Sequence, residues 1–210
     1  MEKEKQNEKN LTPAEQRRLE HFEQTAEEMV RQGYVRQDLT VDIRKANRFG
    51  IFLLFPLLII GYGLYYLIHR RMEFAASSLL IFLLAFFGCI VLHELIHGLS
   101  WSIFTPRHFK DVEFGVMRSS LTPYCACTVP LKRSQYIFGA LMPMVVVGIV
   151  PLILGLVIAS PGLLLLGIAM TDAAAGDLMI VRNVLGFKEA GKEVVYMDHP
   201  TEAGGVVFVR

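Results

Sequence analysis

Charge is segregated along this chain more sharply than a water-soluble domain tolerates. Residues 1–48 carry 20 of the 41 charged side chains, ten of each sign, whereas from Ser134 to Val181 the only charges are Asp172 and Asp177. A soluble domain interleaves charged and apolar residues along each element, so long uncharged blocks point to lipid as the solvent. The net charge of +1 supplies no bulk positive field for nucleic acid, and three cysteines cannot build a disulfide scaffold.

Four blocks are candidate spans. Ile51–Ile68 is 18 uncharged residues between Arg44, Lys45, Arg48 and His69, Arg70, Arg71. It is long enough to cross a bilayer. The hydrophilic stretch before it argues against a cleaved signal peptide. The second span starts near Phe74–Ser77 and runs to about Trp101. It is apolar to Leu92 and then reads His93-Glu94-Leu95-Ile96-His97-Gly98. Tyr136–Ala159 is the third span, with Pro143 and Pro151 tolerated as membrane-helix prolines. Ser160-Pro161-Gly162 makes a turn into the fourth, Leu163 to about Val184, which Asp172 and Asp177 interrupt.

Outside the spans the pattern changes. Residues 1–10 form a polar mixed-charge tail. Thr12-Pro13-Ala14-Glu15 reads as a capping box opening an amphipathic helix with Leu19, Phe22, Ala26, Met29 and Val30 on one face and Gly33 as its stop. That face carries few large apolar groups, which favours packing on the protein over lying on the membrane surface. Lys110–Met117 and Leu121–Val129 have strand composition, with Arg118-Ser119-Ser120 as the turn between them. Val194–Met197 and Val206–Val209 are short strand candidates. The expected fold is an all-α membrane protein of about four transmembrane helices. It has a small β hairpin between spans two and three and an N-terminal amphipathic helix, and it divides as 1–47, 48–185 and 186–210. Lys and Arg cluster before span one, in the loops around span two and in the tail, and are absent from the turn between spans three and four. This predicts both termini in the cytoplasm and Ser160–Gly162 outside the cell membrane.

His93-Glu94-x-x-His97 is the helical zinc-protease signature. Residues four apart stack on one helix face, so both imidazoles can reach one metal ion, with Glu94 beside them to take a proton from water. Ionisable groups at the end of an uncharged membrane helix cost about 2.5–3.5 kcal/mol each at its centre, so they usually face a partner or a wet cavity. A catalytic zinc usually has three protein ligands, and the unpaired candidates within the spans are Asp172 and Asp177. Counted from Ser77 and Pro161, His93 and Asp177 lie at a common depth of about 24 Å, against roughly 16 Å for Asp172. On a straight helix the two aspartates point about 140° apart, so one face cannot offer both. Small residues at Ala173-Ala174-Ala175-Gly176 allow close helix approach beside Asp177. The expected site is Zn2+ on His93, His97 and Asp177, with Glu94 as general base.

The sequence resembles a family of bacterial membrane proteins described as "putative zincin peptidases" of unknown function. More distantly it resembles the site-2 intramembrane metalloproteases. The resemblance is carried by His93-Glu94-Leu95-Ile96-His97-Gly98, Leu121-Thr122-Pro123-Tyr124-Cys125-Ala126-Cys127, Ala140-Leu141-Met142-Pro143, Ala175-Gly176-Asp177 and Asp198-His199-Pro200. It implies two histidines on one span and an aspartate two spans later, an order that His93, His97 and Asp177 follow. The site-2 proteases usually carry an Asp-Gly pair, whereas here glycine precedes the aspartate.

Cys125-x-Cys127 reads as small apolar residues rather than a second metal site, since two thiols do not complete one. In a reducing compartment both should be free. Cys89 reads as helix packing. His108 and His199 are rival ligands in loop contexts. A strand over Lys110–Thr128 beside the site can present an unpaired edge to an extended peptide, or can be an ordinary loop hairpin. The expected partners are the lipid bilayer and a peptide or membrane-protein substrate. The alternative to hydrolysis is a non-catalytic membrane protein that uses His93, His97, Asp172 and Asp177 to bind or transport metal or protons.

Overall fold

The computed structural model describes residues 12–71, 78–117, 122–188 and 192–210. The N-terminal tail, the start of the second span at Phe74–Ser77 and the Arg118-Ser119-Ser120 turn lie outside the described residues. The elements in chain order begin with α1 (Pro13–Arg31), β1 (Val35–Thr40), α2 (Ile43–His69), α3 (Ser78–Ser102), a 3-10 turn (His108–Asp111), β2 (Val112–Met117) and β3 (Thr122–Cys127). They continue with β4 (Leu131–Lys132), α4 (Arg133–Pro143), a π segment (Met144–Ile149), α5 (Val150–Val157), α6 (Pro161–Ala173), α7 (Ala175–Gly186), β5 (Val194–Asp198) and β6 (Gly204–Val209).

Among the described residues, three helical stretches are long and apolar enough to cross a membrane: Ile43–His69, Leu79–Ser102 and Arg133–Val157. Span one starts earlier than its apolar block because Asp42 caps it, accepting from the backbone N–H of Arg44 at 2.8 Å. Span three absorbs its prolines through the π segment. Pro151 has no N–H for the Val147 carbonyl, and the ladder shifts by one residue so that Val150 bonds Val145. The fourth is not one rod: α6 and α7 meet at 43° around Ala174. Thr171 Oγ1 donates to the Gly167 carbonyl one turn back at 2.8 Å, a bond that bends helices just before such a break.

Helix α6 is central, touching α2, α3, the π segment and α5, which is why Leu164 and Ile168 on one face and Met170 on another are all fully buried. The end of α2 is tied to the turn before α6: Tyr65 donates to the Ala159 carbonyl at 2.9 Å and Tyr62 to that of Pro161 at 3.1 Å. By contrast, Leu79, Leu80, Ile81, Leu84 and Phe87 of α3 are exposed, a face suited to lipid.

The fold is mostly helical; the expected tail strands Val194–Met197 and Val206–Val209 are β5 and β6, and β1 and β4 are strands beyond the expectation. The hairpin exists, β2 pairing antiparallel with β3 from Val112↔Cys127 to Met117↔Thr122. A second sheet has the order β1-β6-β5-β4 and draws β1 from the first expected division, β4 from the second and β5 and β6 from the third. The capping box at Thr12 and Glu15 opens α1. Phe22, Ala26 and Met29 of α1 pack on Met197, Val206 and Phe208 of that sheet. Gly204 has φ +113°, and a Cβ there would lie 2.8 Å from the Leu39 carbonyl oxygen, so this turn into the central strand requires glycine.

Candidate metal centre

His93, His97 and Trp101 follow each other at helical spacing on one face of α3 and are all buried, while Leu92, Leu95 and Leu99 on other faces are exposed. The buried face meets α4 at Gly139. A Cβ at Gly139 would lie 2.1 Å from the Trp101 ring, so the indole packs flat on bare backbone. This approach brings the Gly139 carbonyl to 2.9 Å from His97 Nδ1. That bond requires the proton on Nδ1 and leaves the Nε2 lone pair free, the arrangement found behind metal-bound histidines.

Asp177 enters from α7. Its Oδ2 is 3.1 Å from His93 Nε2 and its Oδ1 3.5 Å from His97 Nε2, and the two Nε2 atoms are 3.2 Å apart. Ligands 2.0–2.1 Å from a tetrahedral zinc lie about 3.3–3.4 Å from one another. The two Nε2 atoms, and each of them with one of the two Asp177 oxygens, are close to that spacing; one ligand atom from each residue lies within 4.8 Å of the others, and two imidazoles with one carboxylate are a donor set that suits zinc. The break at Ala174 puts Asp177 in the first turn of α7, where the helix dipole favours an anion. Asp172, in the last turn of α6, goes elsewhere: its carboxylate lies 3.5 Å from where a Gly50 Cβ would be, against span one. The helix is bent where a straight one was expected, and the two aspartates still part.

Glu94 is half-buried beside the histidines, with the Cys125 backbone in its surroundings. The hairpin that brings Cys125 there packs on α3 through Gly98, where a Cβ would lie 2.4 Å from the Phe114 ring. Burial pushes the Cys127 thiol up to about 12 and the Cys125 thiol higher still, so both stay protonated and inert, and all three cysteines are free. Cys89 is partly buried against the cluster of Ile96, Val147, Leu166 and Met170. Neither rival histidine reaches the centre. His108 Nδ1 bonds the Ser102 carbonyl at 3.0 Å, and His199 Nδ1 accepts from the Glu202 N–H at 2.9 Å.

Sequence reasoning overlooked the groups behind the centre. The His97 ring is stacked on Trp101 at 5.1 Å, Trp101 on Tyr136 at 5.8 Å and Tyr136 on Tyr196 at 5.9 Å. Trp101 Nε1 donates to the Tyr136 carbonyl at 3.1 Å. The one readable signal was Trp101, one turn beyond His97. The profile of a family described as "putative zincin peptidase" matches residues 86–190, half of the chain and all of the residues of this centre. No curated protein and no solved structure matches the chain.

Proposed function

From the premise that the chain belongs to the family described as "putative zincin peptidase", we propose that it is a membrane-embedded zinc metallopeptidase. In this reading it hydrolyses peptide bonds near the cytoplasmic membrane face, with both termini cytoplasmic. His93, His97 and Asp177 hold the ion and Glu94 is the general base. The observation that carries the reading is the convergence of His93, His97 and Asp177, each offering one ligand atom and these lying within 4.8 Å of one another, with a second carboxylate alongside.

Zinc bound there supplies a Lewis acid for water and for the scissile carbonyl. The protein's own groups do the rest. The Gly139 carbonyl fixes the His97 tautomer. The Asp177 carboxylate offsets one positive charge where uncompensated charge is expensive. Glu94 lies on the hairpin side of α3, free of the cluster, and takes the proton of the attacking water. The hairpin suits a peptide substrate because an amide must be presented in extended form to be cleaved. Metal or proton transport, the competing reading, gives Glu94 no task.

The test is metal content and cleavage of a membrane-segment peptide measured together in detergent. Wild type should hold one zinc and cleave. Glu94→Gln should keep the zinc and lose at least about a hundredfold in rate, within the usual range for a removed general base. His93→Ala and His97→Ala should lose both. Cleavage by Glu94→Gln at the wild-type rate refutes the hydrolase.

A further inference from the structure

Strand β1 lies at the end of the four-stranded sheet, so only one of its edges is paired. The register fixes which groups face outward. The Val41 N–H donates to the Ala203 carbonyl at 2.8 Å, and β1 continues that ladder with Leu39↔Gly205, Gln37↔Val207 and Val35↔Val209. Backbone groups alternate between the two edges of a strand, so those of Arg36, Asp38 and Thr40 point away from β6. Among the described residues, none of these outward N–H and carbonyl groups has a hydrogen-bond partner. Val35 is 62% exposed, and Arg36, Gln37 and Asp38 are exposed with it. An open strand edge is a template for a further strand.

Charge selects what fits there. Two copies of the chain that pair antiparallel through this edge must set outward residues opposite outward residues, which leaves three registers around its centre. One sets Arg36 opposite Arg36 and another sets Asp38 opposite Asp38, and like charges directly opposite repel. The third is centred on Gln37. It sets Arg36 of each copy opposite Asp38 of the other, and Val35 opposite Leu39. Within one chain Arg36 Nε already donates to Asp38 Oδ1 at 3.0 Å, so the four side chains alternate in sign around the axis. Charges that merely guard an edge against pairing would carry one sign.

The place of the sheet in the molecule admits the same symmetry. One face is covered by α1, and on the other Tyr196 and Val207 pack on Trp101, Tyr136 and Val184 near the ends of α3, α4 and α7. The sheet thus lies across the end of the helix bundle. A two-fold axis between antiparallel strands stands perpendicular to their sheet, which here is along the membrane normal. Both copies then sit in one bilayer the same way up.

We propose that β1 is a homodimer interface: two copies of this chain pair antiparallel about a two-fold axis at Gln37, with Arg36 and Asp38 exchanging backbone and charge contacts across it, and join their sheets into one. Nothing in this depends on the metal or on hydrolysis.

The experiment uses the full chain in isolated membranes, with Cys89, Cys125 and Cys127 replaced by alanine. Gln37 would face its own copy in a non-hydrogen-bonded pair, where Cα atoms are about 4.5 Å apart, within the range that a disulfide spans. Under copper phenanthroline, Gln37→Cys should form a covalent dimer at least about tenfold faster than Gln24→Cys, an exposed position on α1. Adding Asp38→Arg should slow this about tenfold, and adding Arg36→Asp to that chain should restore the rate to within about threefold, because opposite charges face each other again. Asp38→Pro should also slow it about tenfold, since it removes an outward N–H and leaves the pairing with β6 in place. If the cysteine-free chain does not fold, two wild-type copies with different tags should co-purify in mild detergent, and Asp38→Arg in both should cut the yield about tenfold. Crosslinking at Gln37 no faster than at Gln24 overturns the proposal, as does a charge exchange that stays as slow as Asp38→Arg alone. So does capture of Gln37→Cys by another protein in place of its own copy, or tagged wild-type copies that do not co-purify.

Discussion

Gly139→Ala tests whether the backbone behind His97 matters to the metal. The added Cβ would lie 2.1 Å from both Cδ1 and Nε1 of Trp101 and 2.6 Å from Cε2. Those atoms belong to a rigid ring, 4% exposed, stacked between His97 and Tyr136 and hydrogen-bonded to the Tyr136 carbonyl. The ring cannot step aside as a flexible side-chain end could, so α4 must move away from α3. Overpacking of this kind costs about 1–3 kcal/mol. The movement also draws the Gly139 carbonyl from His97 Nδ1, now at 2.9 Å. Losing the partner behind a metal-bound histidine typically weakens metal affinity about 10–100-fold, or about 1.4–2.7 kcal/mol. Zinc affinity in detergent, read by competition with a chromophoric chelator, should fall by that factor, and the melting temperature should fall with it. Gly88→Ala on α3 is the control. A Cβ at Gly88 meets nothing within 4 Å, so zinc affinity should not change. Equal zinc affinity within twofold for Gly139→Ala and wild type would refute the reasoning.

The aspartates should separate: Asp177→Asn should weaken zinc binding at least about tenfold and Asp172→Asn less than twofold, measured with the same chelator. If Asp172→Asn alone strips the metal, the third ligand is misassigned. Burial pushes the Asp198 carboxyl up to about 6, partly offset by the hydrogen bonds from Tyr136 and Cys127. A raised carboxyl stabilises the fold fully below its unfolded value of about 3.9 and loses that contribution as pH rises through about 6, a change of about 3 kcal/mol. Asp198→Asn does not titrate, so its melting temperature relative to wild type should climb from pH 4 to pH 7; a flat difference would exclude the shift. Finally, a cysteine at Ser160, in a chain with Cys89, Cys125 and Cys127 replaced, should react with a membrane-impermeant maleimide from outside intact cells, and labelling from the cytoplasmic side alone would invert the topology.

What the sequence determined by itself is what depends on neighbours along the chain. Charge segregation dictates lipid as solvent because no rearrangement of an uncharged block of 18 residues can make it polar. The four-residue spacing of His93 and His97 is a helical repeat and survives any packing. The capping box at Thr12 and Glu15 is equally local, as is the strand composition that marks the hairpin. Tertiary structure decided the rest. No local pattern marks Val35–Thr40 as a strand, because it is a largely exposed edge whose pairing with β6 spans most of the chain. The bend at Ala174 turns Asp177 to the histidines and Asp172 to Gly50. Asp198 and Tyr136 lie far apart in sequence, and only the folding of both chain ends into one sheet brings that carboxylate to the strand beside Glu94. Contacts between distant segments carry no periodic signature, since their partners are chosen by shape and hydrogen-bond satisfaction once the elements have formed.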